Sequence, residues 1–264
     1  MQKSIIASIS KRGGGLDSAG GLFHASGLSR SAFTLAEVLI TLGIIGVVAA
    51  MTLPALVQKH TNLVVETRLK KFYSAINQAV MLAEKDYGDR KYWYQDNNNI
   101  ETDEEGKPIL GSSIDEKWWK KYIAPYMKTV GVKYDSNGLP IFMFADGSAL
   151  KGIQRENMRD WEFYTTDPDK CIKKYGSSEK SRGKCCFLFI FMPGGDGSNG
   201  KDNNVEWRHH VNKGFEPYKY AWDGTENGLY NGSYGCNTNR AYCTAIIQYN
   251  GWKIPDDYPF KVSY

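Results

Sequence analysis

Residues 33–53 read FTLAEVLITLGIIGVVAAMTL, 21 residues in which Glu37 is the only charge. About 20 successive apolar residues let a helix cross the hydrocarbon core of a bilayer. Lys3, Lys11, Arg12 and Arg30 precede the stretch and Lys59 follows it. The heavier basic flank predicts a cytoplasmic N-terminus and a C-terminal body on the other side of the membrane. A secretory signal peptide has a shorter apolar core with small residues at its far end. Here the small pair Ser31-Ala32 stands before the apolar run. Cleavage there removes the basic prefix and leaves the hydrophobic helix on the protein.

The charge balance agrees with a removable prefix. Residues 1–32 hold four basic residues against Asp17, +3 of the formal +4, which leaves +1 for the other residues. The basic excess belongs to the prefix, so no nucleic-acid surface is predicted. A length of 264 residues suits one ordinary domain plus an anchor.

Glu37 needs an explanation. A carboxylate within a membrane helix costs about 2.5–3.5 kcal/mol on insertion scales, and such groups usually have a partner. The plain reading is an acid tolerated near the interface. The alternative is that a cut before Phe33 creates a positive amine four residues upstream. That amine, on a neighbouring subunit, would pair with Glu37 and set the stagger between copies.

The run Ser31-Ala32-Phe33-Thr34-Leu35-Ala36-Glu37-Val38-Leu39-Ile40 resembles the cleavage and methylation motif of type IV pilins and type II secretion pseudopilins. That motif has a small residue at the cut, usually Gly and here Ala32, then Phe-Thr-Leu-x-Glu and an apolar run. The resemblance implies cleavage by a prepilin peptidase between Ala32 and Phe33, and N-methylation of Phe33 by the same enzyme. It gives Glu37 the role in inter-subunit pairing and matches Pro54 to the helix-kinking proline of these families. It also implies an α+β fold, with a long N-terminal helix packed on a small antiparallel sheet with long loops. The implied function is that of a structural subunit, major or minor, of a type IV pilus or secretion pseudopilus. Its partners would be the processing enzyme, the inner membrane and other pilin or pseudopilin subunits. Its location would be the cytoplasmic membrane in a single pass, with the C-terminal domain outside, and then an extracytoplasmic filament. The rival reading is a membrane-tethered adhesin or binding protein delivered by the prepilin route.

On this reading residues 1–32 are a leader and 33–57 a transmembrane and filament-core helix. Residues 58–88 are the amphipathic half of the same helix, and 89–264 an extracytoplasmic globular domain. Beyond Pro54, Leu56, His60, Leu63, Val64, Leu69, Phe72, Tyr73, Ile76, Ala79, Val80 and Ala83 recur mostly at three- and four-residue steps. That spacing predicts one long helix over about 33–86, with Gly88 as its stop. Pro54 should kink or loosen it.

Further on, residues 89–113 read as a polar loop, and 114–129 as a short helix capped by Ser113. Pro140–Lys151 reads as a hairpin turning at Asp146-Gly147. Cys186–Met192 is an apolar run of central-strand length. Residues 205–235 carry few regular signals. Thr238 is the predicted cap of a helix reaching Asn250 and stopped by Gly251, with the β-branched Thr244, Ile246 and Ile247 leaving a strand as the competitor.

The five cysteines all lie beyond residue 170, and in an exported chain they read as disulfides. Cys236 and Cys243 would close a small loop, and the resemblance favours that pair because many pilins staple their C-terminal region so. Cys171 can reach Cys185 or Cys186, which point to opposite faces of a strand. No Gly-x-Ser-x-Gly elbow, His-Glu-x-x-His or phosphate-cradling loop is present, so no enzymatic activity is predicted. Asp196, Asn199 and Asp202 offer oxygens of the kind Ca²⁺ takes, but Lys201 stands where an EF-hand needs Gly. An ordinary turn-rich loop is the expectation there, with calcium as the candidate cofactor. His209 and His210, adjacent in an extended segment, would point apart and make a poor metal clamp. The many Tyr and Trp are expected to fill the core.

Overall fold

A computed structural model describes residues 33–93, 100–153, 159–194, 205–230, 232 and 235–264. Leu35–Tyr87 form a single 53-residue helix, α1. It ends where the sequence predicts, at Gly88, whose positive φ of 79° permits the turn and whose N–H donates to the Glu84 carbonyl. The helix continues through Pro54, although that residue withholds a donor from the Ala50 carbonyl. The chain divides after Ala49 into two compact units. Leu35–Ala49 of α1 belong to the first and Ala50–Tyr87 to the second.

The second unit is α+β. Its helices are α2 (Ile114–Trp118), α3 (Pro168–Tyr175), α4 (Ser178–Ser181), α5 (Glu226–Tyr230) and α6 (Cys243–Tyr249). Its strands are β1 (Gly131–Tyr134), β2 (Pro140–Met143), β3 (Ala149–Gly152), β4 (Asp160–Tyr164), β5 (Cys186–Phe191) and β6 (Phe215–Pro217). All pair antiparallel in chain order, a six-stranded meander.

The register explains the core. Phe142, Leu150, Phe163 and Phe187 stand opposite one another across β2 to β5, and side chains alternate faces along each strand. Phe189 and Phe191 therefore join Phe187 on one side. α1 lays Val65, Leu69, Phe72, Ile76, Ala79, Val80 and Ala83 against this aromatic face. Phe72 sits at the centre, stacked on Phe163 at 4.3 Å and edge-on to Phe189 at 5.1 Å. The opposite face buries Ile141, Ala149, Tyr164 and Cys186 with Cys171 of α3.

The buried stripe of α1 corrects the sequence reading at its start. Leu56, His60 and Leu63 were expected on it and are exposed. Leu63 lies six residues before Leu69, about 120° round the helix, whereas Val65 lies four before it, about 40° away.

Elsewhere the local chemistry works as read, with shifted boundaries. Ser113 caps α2 by accepting from the Glu116 N–H at 3.2 Å, and the helix continues as one π-helical turn, Trp119–Ile123. The hairpin turns at Gly147, φ +81°. β5 has neighbours on both sides. The last helix is a helix and not a strand, but its cap is Asn239, which accepts from the Ala241 N–H at 3.1 Å and opens a 3₁₀ turn into α6. Thr238 does not cap it. The described residues of 205–235 hold more regular structure than expected, with β6, α5 and a 3₁₀ turn at Val205–Trp207.

Candidate functional site: the apolar helix segment

The helix begins with a reciprocal cap. Glu37 Oε2 accepts from the Thr34 backbone N–H at 2.8 Å and from the Thr34 hydroxyl at 2.9 Å. The Glu37 N–H in turn donates to Thr34 Oγ1 at 3.2 Å. This is a capping box, and it satisfies donors that a helix start otherwise leaves unpaired. The sequence reading assigned Glu37 to subunit pairing and did not see the cap. The signal was present, since Thr-x-x-Glu directly before an apolar run is the pattern of such a box.

From Phe33 to Val57 every residue is exposed except half-buried Ala49. Phe33 itself is 86% exposed. The segment is long and apolar enough to cross a membrane. Exposed Leu39, Ile40, Leu42, Ile44 and Ile45 would each gain about 1.5–3 kcal/mol on leaving water. Gly43 and Gly46 leave open space where a side chain would stand, so another helix can approach closely there.

Within the second unit, buried polar groups are tied together. Glu216 accepts from the Tyr73 hydroxyl at 2.7 Å, from Lys219 Nζ at 3.1 Å and from Gln248 Nε2 at 3.3 Å. It thereby links α1, β6 and α6. Burial beside Glu216 pushes the Tyr73 hydroxyl far above its usual range, and desolvation lowers the Lys219 ammonium. Asn77 donates to the Phe215 carbonyl and accepts from its N–H, both at 2.9 Å, so a side-chain amide occupies the outer edge of β6. A cleft of about 280 Å³ lies between α1 and the β2–β3 turn, floored by Phe72, Phe144 and Phe163. On its rim the Arg68 guanidinium donates to the carbonyls of Thr165 and Asp146, a positioning role within the fold.

The cysteines separate cleanly. Cys236 is bonded to Cys243 and Cys171 to Cys185, while Cys186 is a buried free thiol. The residue choice left open between Cys185 and Cys186 follows from the strand. Cys186 is the first residue of β5 and pairs with Tyr164, whereas Cys185 precedes the strand. His209 and His210 sit in turns following the 3₁₀ turn at Val205–Trp207 and not in an extended segment. His210 Nε2 accepts from the Lys219 N–H at 3.2 Å, and His209 Nε2 lies 2.9 Å from the Trp222 carbonyl. Burial lowers the His210 imidazole well below its usual value. Among the described residues no three His, Cys, Asp or Glu side chains come together to hold a metal. Ala32 and the calcium candidates Asp196, Asn199 and Asp202 lie outside the described residues.

A model of a family of unknown function, DUF6613, matches residues 55–262. The chain belongs to DUF6613. No match was found among curated proteins or solved structures. The DUF6613 match opens one residue after Pro54. It therefore covers the amphipathic part of α1, the sheet and both disulfides, and leaves the Thr34–Glu37 cap and the Phe33–Pro54 part of the exposed apolar run outside it. Within the DUF6613 body Trp93, Trp118, Trp119, Trp161, Trp207 and Trp222 are buried core residues, whereas Tyr87, Tyr92 and Tyr249 are exposed. The Glu216 network and the Asn77 edge cap were not read from the sequence. Both join residues more than 130 positions apart, and no local pattern announces such pairs.

Proposed function

We propose that this DUF6613 chain is a prepilin-type structural subunit. A leader ending at Ala32 is removed, Phe33 becomes the methylated N-terminus, and the Leu35–Val57 part of α1 holds the mature chain in the cytoplasmic membrane. The same segment then packs with those of other subunits in an extracytoplasmic filament of the type IV pilus or type II secretion kind. The observation that carries this reading is an apolar, exposed helix segment whose single charge stands five positions from a cleavage-type junction. A long N-terminal helix followed by an antiparallel sheet is compatible with it.

The physical account is differential. In a bilayer Glu37 carries a desolvation cost of about 2.5–3.5 kcal/mol, which the Thr34 donors offset in part. A neighbour's Phe33 amine offsets it further and does so only at one stagger. Membrane insertion then depends on the apolar side chains, and register on Glu37.

Intact mass and N-terminal sequencing of the chain isolated from membranes test this reading. The expected start is methylated Phe33. A native chain that retains Met1, or that lacks the apolar segment, overturns it. Glu37→Ala is expected to insert normally and to be absent from filaments. Inter-subunit crosslinks between Phe33-region helices would separate the subunit from a tethered adhesin, which forms none.

A further inference from the structure

Charge is unevenly spread over the second unit. Pro168–Lys184 has six basic residues against two acidic, a net +4, although residues 33–264 together carry only +1. Arg182 is committed to the buried Glu162 carboxylate. Lys170, Lys173, Lys174, Lys180 and Lys184 form no ion pair among the described residues. Aromatic rings hold cations side by side there. Lys174 and Lys184 lie 5.4 and 4.4 Å from the Tyr175 ring centroid. Lys184 and Arg240 lie 5.8 and 4.6 Å from that of Phe260. Like charges gathered in this way raise the positive potential over the patch.

Negative charge collects on a second segment of the same unit. Residues 101–107 hold four acidic residues against Lys107, a net −3, and all seven are exposed. The segment is anchored by a bridge between Thr102 and Pro108 and by the Glu101 N–H donating to Ser112 Oγ at 2.9 Å. Pro108 packs on Gly138 in the turn between β1 and β2, beyond the Tyr134–Pro140 pair that ends that ladder. The basic segment follows β4, and its helix α3 packs on the sheet face of Ile141, Ala149, Tyr164 and Cys186, with its cap Asp167 ion-paired to Lys133 of β1 at 2.5 Å. One segment thus carries +4 and the other −3, with Glu101 and Glu105 in exposed ion pairs to Lys117 and Lys107 and Glu104 in none among the described residues.

We propose that the Pro168–Lys184 surface docks residues 101–105 of a second copy of this chain. The inference rests on the filament reading and names a contact within it. A patch that meets a different patch on its neighbour is heterologous, and such contacts repeat from copy to copy into an open array unless the rotation happens to close a ring. The attraction is electrostatic and exposed, so it sets orientation and encounter more than affinity, and salt screens it.

The test uses full-length protein in detergent, with oligomers read by chemical crosslinking and sedimentation. Lys173→Glu/Lys174→Glu/Lys180→Glu is expected to lower the crosslinked fraction about tenfold at low salt, and Glu104→Lys/Glu105→Lys to do the same. These side chains are exposed, and an unchanged melting curve confirms that each variant folds. Mixing the two variants is expected to restore oligomers, because each then meets an opposite charge. Either variant oligomerising like the wild type, or a mixture that does not recover, overturns the proposal. So does binding of a DNA oligonucleotide that the lysine variant loses while oligomers persist, which would assign the patch to a polyanion. Glu37→Gln run in parallel separates the two readings. Loss of oligomers there, with both charge variants normal, ends only this contact. A wild type that is monomeric throughout ends the filament reading as well.

Discussion

Glu37 folds back on Thr34, its Oε2 within 2.9 Å of both the Thr34 nitrogen and hydroxyl, so the one charge of the apolar segment already serves the first turn of α1. Capping uses the acceptor oxygens, whereas the proposed subunit register uses the charge. Gln serves in capping boxes as Glu does. Glu37→Gln is therefore expected to keep the helix start and lose filament incorporation. Thr34→Ala, which keeps the charge, is expected to incorporate. Immunoblots of sheared filament fractions read both, and a Gln variant incorporated at the wild-type level removes the charge from the mechanism.

Phe72 is the side chain on which α1 meets the sheet, touching the rings of Phe163, Phe189, Phe144 and Phe215. Truncating a buried Phe to Ala costs about 3–5 kcal/mol through lost transfer energy and the cavity left behind. Phe72→Ala should shift the denaturant midpoint of the body by that amount. A change under about 1 kcal/mol would show that the helix is not packed as described.

Asn77 stands in for a seventh strand. Its amide supplies both partners of Phe215, and leaving a buried donor and acceptor unpaired costs about 1–3 kcal/mol. Asn77→Ala should destabilise the body by that order and speed hydrogen exchange at the Phe215 amide ahead of β4 and β5. Equal acceleration in all three strands would mean global unfolding and no local edge.

His210 is expected to make the body acid-sensitive. It is fully buried, and Lys219, His209, Lys213 and Arg159 all oppose its protonation. The folded-state value is depressed, so below about pH 6.5 the unfolded chain binds a proton that the folded chain refuses. The contribution is complete above that pH and is lost as pH falls, at up to about 1.4 kcal/mol per unit. His210→Gln, which does not titrate, should flatten the slope of melting temperature between pH 7 and about pH 5. A slope equal to that of the wild type would assign the sensitivity elsewhere.

The cysteines give a chemical fingerprint. Cys186 is buried and the other four are paired. Alkylation should label no thiol in the folded protein, one after denaturation and five after reduction. Label on Cys185 in place of Cys186 would contradict the register of β5.

Short-range chemistry was legible in the sequence. The Gly88 stop, the Ser113 cap, the Gly147 turn and the strand at Cys186–Phe191 each depend on residues within a few positions. The errors have the same scale. Asn239 displaced Thr238 as the cap by one position, and Leu63 was placed on a face that belongs to Val65. β6, only three residues long, is recruited by β5 and by Asn77 and shows little in its own composition. In the candidate site the Phe-Thr-Leu-x-Glu run was visible, but the Thr34–Glu37 hydrogen bonds were overshadowed by the reading of Glu37 as an intermolecular charge.

Glu66 accepts from the Ile254 N–H at 3.0 Å and from Lys253 Nζ at 2.8 Å, a closure across 188 residues. A ribosome delivers Glu66 well before its partners Lys253 and Ile254. Until Lys253 and Ile254 emerge, that part of α1 has no lid, and a nascent chain must keep its greasy stripe from wandering to other surfaces. Loss of Lys253 and Ile254 would then register at the helix, far upstream in the order of synthesis.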